Sequence, residues 1–72
     1  ISTSGNSKNV IEAVKTAKSK CCYVIGFLGN GGGKLASMVN LPIIIKSSDT
    51  ARIQECHIFI CHELCHMVET NL

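Results

Sequence analysis

The sequence has 72 residues, 46% of them hydrophobic, and a formal net charge of +2. A chain of this length forms one domain at most and buries only about 60% of its unfolded surface. Its lysines are scattered and its aromatic residues make up only 4%, which argues against a nucleic-acid partner. The longest apolar runs are well short of the roughly 20 residues of a membrane helix, so we expect no membrane partner. No segment resembles a secretory signal.

The elements follow a regular order along the chain. The stretch ISTSGNS ends a first strand and turns, and KNVIEAVKTAKSK has helical spacing with Ser7 or Asn6 as its cap. CYVIGFL predicts a second strand, KLASMV a short helix and LPIIIK a third strand. The residues SSDT offer caps for a long helix from Thr50 to about Asn71.

These elements predict a doubly wound parallel α/β sheet. The strands are continuously apolar, which is typical of parallel strands covered on both faces, and they alternate with helices. A parallel sheet of three strands would have exposed edges, and Ile1 lies in mid-strand. We therefore expect the chain to be a piece of a larger domain.

The long helix is apolar nearly all round its axis. Such a helix is buried on more than one side. In so small a chain, we expect the second cover to be another subunit.

Five cysteines occur, but a secreted disulfide scaffold is not expected. Their number is odd, and Cys56, Cys61 and Cys65 lie in one helical pattern, where disulfide geometry is unfavourable. We expect reduced, buried thiols and a cytoplasmic location.

Within the long helix, HELCH matches the zinc-protease pattern H-E-x-x-H. His62 and His66 share a helix face, as two zinc ligands would. However, the chain ends six residues after His66 without a suitable third ligand. Glu63 would also have to face water on a helix that we expect to be packed on most sides. We interpret the match as accidental, with His66 an ordinary polar helix residue.

The stretch GNGGGK follows a strand and precedes a helix, where a P-loop would lie. Its spacing fits neither a P-loop nor a dinucleotide motif. It predicts a flexible turn, whose backbone N–H groups could still contact a ligand.

The stretch STSGNS places four hydroxyls between the end of a strand and the start of a helix: Ser2, Thr3, Ser4 and Ser7. Open α/β sheets bind ligands at this place, and free N–H groups with the helix dipole favour an anion. The residues alone leave open whether this is an anion site or a polar turn with a helix cap. Gln54 and His62 lie about 12 Å apart along the long helix, and their spacing alone means little.

The sequence resembles the phosphoheptose isomerases, a family with a sugar-isomerase (SIS) domain. The resemblance rests on ISTSGNSKNVIEAVKTAK, VIGFLGNGGGKLA and DTARIQECHIFICHEL, which cover nearly all 72 residues. STSGNS alone marks SIS domains in general. Together with RIQE and a histidine eight residues after Gln54, it indicates the isomerase branch.

The resemblance implies that residues 1–72 are the carboxyl-terminal part of one flavodoxin-like SIS domain, in a homotetramer with active sites shared between subunits. It implies conversion of sedoheptulose 7-phosphate to D-glycero-D-manno-heptose 7-phosphate, a step in bacterial lipopolysaccharide or capsule heptose synthesis. In this family, residues at the positions of Ser2, Thr3, Ser4 and Ser7 hold the sugar phosphate.

For the chemistry, the resemblance implies that Gln54 contacts substrate and that His62 is one of two acid/base residues. Some members hold zinc, which makes Gln54 and His62 candidate ligands. The family's catalytic Glu and a further His ligand come from an amino-terminal half that has no counterpart here, so we expect this chain alone to be inactive. Ala51 also departs from relatives that carry Asp.

A second functional hypothesis is a binding module instead of an enzyme. Some SIS proteins are non-catalytic phosphosugar-binding modules, or associate with the bacterial replication initiator. They keep the phosphate-binding serines. The presence of both Gln54 and His62 favours the enzyme.

Overall fold

The structure is a computed structural model that describes residues 1–72. Its elements alternate as expected: helix α1 (Lys8–Ser19), strand β1 (Ile25–Gly29), a short 3-10 helix (Lys34–Ser37), strand β2 (Leu41–Ile45) and helix α2 (Thr50–Thr70). None of the helices combines the length and the apolar character that a membrane crossing requires.

The two strands are parallel, with Ile25 opposite Leu41 and the register continuing to the end of both strands. On the other side of β1, Ser2 forms a single parallel bridge with Leu28, and its N–H donates to Phe27 O at 2.9 Å. The expected first strand is present as this one bridge. β1 occupies the centre, as the middle strand of the predicted sheet.

Helices cover both faces of this sheet. Successive side chains of a strand point to opposite faces, and β1 shows this clearly. On one face, Leu28 packs with Val14 of α1 and with Leu35. On the other face, Phe27 lies against His57 of α2, with ring centroids 5.7 Å apart. The doubly wound arrangement predicted from the sequence is confirmed.

Helix α1 packs through the apolar stripe that its sequence predicts. Val14 is buried, and Val10 and Ile11 pack beside it on the core. Ser7 is the N-cap residue, but its side chain makes no capping hydrogen bond. The sequence therefore predicted the N-cap position correctly, but the Ser7 hydroxyl contacts Ser2 Oγ and the Asn6 side chain accepts from the Lys34 N–H instead of capping the helix.

Helix α2 is capped by Asp49, whose carboxylate accepts hydrogen bonds from the N–H groups of Ala51 and Arg52 at 3.1 and 3.5 Å. Of its 21 residues, only Ile53 and His57 are buried. The helix is about 31 Å long, so the part beyond these two residues has little cover within the chain. Burial of this apolar part by another subunit stays a prediction.

The cysteines are free, and four of the five are exposed, while Cys61 is half-buried. The expectation of buried thiols is wrong. Cys21 and Cys22 lie in the turn after α1, and Cys56, Cys61 and Cys65 lie on surfaces of α2 that the sheet does not reach.

Candidate functional site

Residues 2–7, here called the serine loop, lie at the carboxyl end of the sheet and lead into α1. Ser2 is buried, and its hydroxyl oxygen accepts a hydrogen bond from the Gly5 N–H at 3.1 Å. The same oxygen lies 3.0 Å from the Ser7 hydroxyl. The exposed Ser4 hydroxyl accepts from the Asn6 N–H at 3.1 Å. The loop is thus closed by its own side chains, and the Ser2 and Ser7 hydroxyls come together.

The loop after β1, residues 30–33 and here called the glycine loop, packs directly against the serine loop. Gly5 has a φ of +73°, and a Cβ atom there would overlap the carbonyl oxygen of Gly32. The Gly5 carbonyl accepts from the Leu35 N–H at 3.0 Å, and the Asn6 side chain accepts from the Lys34 N–H at 2.9 Å. Glycine is required at position 5 because a side chain meets both a left-handed backbone and a neighbouring chain segment.

Three backbone donors at the start of α1 have no acceptor within the chain. The first hydrogen bond of this helix runs from the Ile11 N–H to the Ser7 carbonyl at 2.9 Å. The N–H groups of Lys8, Asn9 and Val10 are therefore free, and no acidic side chain lies in the first turn to compete for them. Free N–H groups together with the positive end of the helix dipole attract an anion.

The serine hydroxyls strengthen this attraction. Because Ser2 Oγ already accepts from Gly5, the buried Ser2 hydroxyl can donate to Ser7 Oγ. With Ser2 as the donor, the proton of the Ser7 hydroxyl stays available to a ligand. The Thr3 side chain is half-buried and makes no hydrogen bond, while its carbonyl accepts from the Asn30 side chain at 3.4 Å. This arrangement suits a tetrahedral oxyanion such as a phosphate group.

Gln54 and His62 are exposed on α2, and no hydrogen bond joins either of them to the serine loop. Ile53, next to Gln54, reaches Gly29 at the carboxyl end of β1, and the Thr3 carbonyl lies at the same point. The next buried residue, His57, is bonded to Leu28, so α2 runs back along β1.

This direction separates the two α2 candidates. Gln54 lies near the start of α2, on the side of the sheet where the serine loop is. His62 lies about 12 Å further along the helix axis, towards the amino ends of the strands. The structure thus brings the serines together, and it does not bring His62 to them within one chain.

Gln54 and His62 do not fit a zinc site by themselves. The chain contains no group of three His, Cys, Asp or Glu side chains that could hold a metal ion. A protein zinc site uses at least three side-chain ligands. The interpretation of HELCH as an accidental match stays a prediction. Glu63 is exposed on this helix, so the expectation that helix packing keeps it from water is wrong.

Three residues at this end of the fold escaped the sequence reasoning. Asn6 and Asn30 fasten the serine loop to its neighbours through their side chains, and Asn30 does so with a φ of +54°. His57 is 2% exposed, and its ring binds the β1 backbone. For Asn30 the residue type was a signal, because Asn tolerates a left-handed backbone; the contacts of Asn6 and His57 left no signal in the sequence.

No model of a known protein family matches the sequence. The sequences of individual proteins do match it. The chain is 54% identical over 69 residues to the phosphoheptose isomerase of Campylobacter concisus, covering 96% of this chain and 36% of the relative. It is 51% identical over 72 residues to that of Citrifermentans bemidjiense, covering 100% of this chain and 38% of the relative.

This chain is similar to one part of the phosphoheptose isomerases. The solved structures agree. A phosphoheptose isomerase from Francisella tularensis matches with a TM-score of 0.90 and 36% identity, over 96% of this chain and 39% of its own. One from Neisseria gonorrhoeae matches with a TM-score of 0.88 and 45% identity, over 92% of this chain and 38% of its own.

The chain therefore spans little more than a third of the length of the phosphoheptose isomerases that it matches. The resemblance recognised from the sequence motifs is confirmed. The α/β fold matches the corresponding part of these phosphoheptose isomerase structures, with α1, β1, β2 and α2 in the same arrangement.

Proposed function

We propose that these 72 residues are the carboxyl-terminal part of a phosphoheptose isomerase that converts sedoheptulose 7-phosphate to D-glycero-D-manno-heptose 7-phosphate. The observation that supports the proposal is the serine loop, in which the Ser2 and Ser7 hydroxyls lie 3.0 Å apart directly before the first turn of α1, where three N–H groups have no acceptor within the chain. The relatives' name supplies the sugar-phosphate class. The product would enter bacterial heptose synthesis for lipopolysaccharide or capsule.

In this proposal the serine loop holds the substrate phosphate. Ser4 and Ser7 donate their hydroxyl protons to it, Thr3 adds a third hydroxyl, and the first turn of α1 adds backbone N–H groups. Ser2 takes part through Ser7, since its own hydroxyl is buried. Binding the unreactive end of the sugar in this way orients the reacting carbons, which is the main benefit that a remote phosphate offers an enzyme.

The reaction moves a proton between two neighbouring carbons. A base removes the proton from the carbon beside the carbonyl, an enediol forms, and the proton returns to the adjacent carbon. His62 would exchange protons with the sugar oxygens, because an imidazole changes charge near neutral pH. Gln54 would hold a sugar hydroxyl through its amide. The base acting on carbon would come from residues outside this chain.

His62 lies away from the serine loop of its own chain, so the active site requires further protein. We propose a homo-oligomer, with a tetramer as in the resemblance, in which neighbouring subunits complete the site. The exposed apolar residues beyond His57, among them Phe59 at 66% and Met67 at 56% exposure, support this assembly. A zinc ion remains a proposal of the same kind: Gln54 and His62 are its candidate ligands here, and the others would lie outside these residues.

A cytoplasmic location goes with this function. All five cysteines are free and four are exposed, which favours a reducing compartment.

An isomerase assay on the full-length protein tests the proposal. Purified protein is given sedoheptulose 7-phosphate, and the aldose product is measured with and without a chelator. We expect turnover, and we expect its loss in His62→Ala with substrate binding retained. Binding of the sugar phosphate without turnover would contradict the enzyme and favour a non-catalytic phosphosugar-binding module. A loss of activity with the chelator, restored by zinc, would support the metal.

A further inference from the structure

His57 is the one ionisable side chain that the fold buries completely, and neither the motifs nor the proposed chemistry uses it. It is 2% exposed. Its Nε2 lies 2.8 Å from the carbonyl oxygen of Leu28, and its ring packs on Phe27. A carbonyl oxygen only accepts hydrogen bonds, so Nε2 carries the proton and donates it.

The other ring nitrogen shows that this arrangement has a cost. Nδ1 is buried without a hydrogen-bond partner. A buried polar atom without a partner destabilises a fold, and a phenylalanine or leucine would fill the same space without it. The imidazole is therefore not explained by packing alone, and the bond to Leu28 is what it provides.

The position of this hydrogen bond affects how α2, which carries Gln54 and His62, is oriented on β1. Ile53 and His57 are the two side chains of α2 that this chain buries, and both contact β1. The Ile53 contact is apolar and non-directional. The hydrogen bond from His57 is directional, and it fixes both the rotation of α2 and its position along β1.

We propose that His57 is a positioning residue, which places Gln54 and His62 by anchoring α2 to the backbone of β1. Gln54 precedes it by three residues and His62 follows it by five. Both are exposed and have no hydrogen bond of their own. Their placement therefore depends on the helix that carries them. The catalytic part of this inference rests on the proposed isomerase function, whereas the anchoring itself does not.

Three variants of the full-length protein separate anchoring from packing. His57→Phe keeps a ring against Phe27 and removes the donor. His57→Leu removes both. His57→Gln keeps an N–H donor at a reach similar to that of Nε2 and serves as the conservative rescue. Each is measured for kcat and KM on sedoheptulose 7-phosphate, for thermal unfolding, and for binding of inorganic phosphate at the serine loop, which lies on other elements.

We expect His57→Phe to remain folded and to bind inorganic phosphate as the wild type does, while kcat falls about 10-fold or more, because small displacements of reacting groups are costly. His57→Gln should recover most of that loss. A His57→Phe variant with wild-type kcat, a loss of kcat that only follows the folded fraction, or a His57→Gln variant no better than His57→Phe would each overturn the proposal.

Two structural measurements test the anchoring independently of turnover. Nitrogen-detected NMR of the wild type should show a proton on Nε2 of His57. Crystal structures should show α2 rotated or shifted against β1 in His57→Phe and restored in His57→Gln. An Nε2 without a proton, or an α2 that superimposes in all variants, would overturn the anchoring. If the wild type fails to isomerise the sugar, the proposed function fails, and these two measurements still decide the anchoring.

Discussion

The hydroxyl oxygens of Ser2 and Ser7 lie 3.0 Å apart across the serine loop. Ser2 is buried at the edge of β1, and Ser7 is the N-cap residue of α1. Their contact connects the sheet to the helix that supplies three free N–H groups. We therefore expect the two residues to have different roles, with Ser2 holding the loop and Ser7 contacting the ligand.

Substitution of each serine by alanine should separate these roles. Ser2→Ala removes two hydrogen bonds from a buried position, and we expect it to lower the free energy of unfolding by about 1–3 kcal/mol. Ser7→Ala should change stability less, because its side chain does not cap α1, and should weaken phosphate binding more. Urea unfolding and phosphate titration of the full-length protein measure both effects. Equal losses of stability in the two variants would contradict the assignment.

The contact between the serine loop and the glycine loop predicts a strong glycine effect. Gly5→Ala places a Cβ against Gly32 and strains a left-handed backbone, which alone costs about 1–2 kcal/mol. Gly31→Ala is the matched control, since no atom lies within 4 Å of its Cβ position. We expect a lower unfolding midpoint and loss of phosphate binding only for Gly5→Ala. Similar behaviour of both variants would show that the loops do not pack in this way.

The arrangement of the first helix and both strands could be predicted from the sequence. Apolar residues at helical spacing predict α1, because a helix buried on one face repeats its apolar residues with the helical period. Continuous apolar runs predict β1 and β2, because parallel strands covered on both faces are apolar throughout. The long helix was predicted from Thr50 to about Asn71, and it ends at Thr70. The hydroxyl groups between a strand and a helix were also visible in the sequence, while phosphate binding by the serine loop stays a prediction.

The contacts that connect separate parts of the chain could not be predicted. The bond from His57 to Leu28 joins residues 29 apart, and the approach of Gly5 to Gly32 depends on the packing of two loops. Neither leaves a local pattern. The exposure of Cys56 and Cys65 was misjudged for a related reason: apolar character predicts burial, but this chain buries no residue of α2 beyond His57.

The HELCH match gives a third prediction. His66→Ala in the full-length protein should leave isomerase activity within a few-fold of wild type, because His66 is exposed and belongs to no group of metal ligands. His62→Ala is the comparison and should lose most activity. A loss in His66→Ala as deep as in His62→Ala would mean that the two histidines function as a pair.

The fourth prediction concerns the apolar surface of α2. Phe59 is 66% exposed in the single chain, and its burial by a neighbouring subunit would contribute roughly 1.5–3 kcal/mol. We expect Phe59→Asp to weaken assembly in sedimentation experiments and to lower activity with it. The exposed Glu69→Ala substitution, near the end of the helix, is a control that should assemble normally. A monomeric wild type, or a Phe59→Asp variant that assembles and turns over normally, would contradict the interface.

The central claim is that the serine loop binds the phosphate of an isomerase substrate, and a crystal structure of the full-length protein with sedoheptulose 7-phosphate tests it most directly. We predict that the phosphate oxygens accept hydrogen bonds from the Ser4 and Ser7 hydroxyls and from the free N–H groups in the first turn of α1, with the sugar extending towards Gln54. A phosphate bound elsewhere, with the serine loop unchanged and its N–H groups without a ligand, would contradict the account.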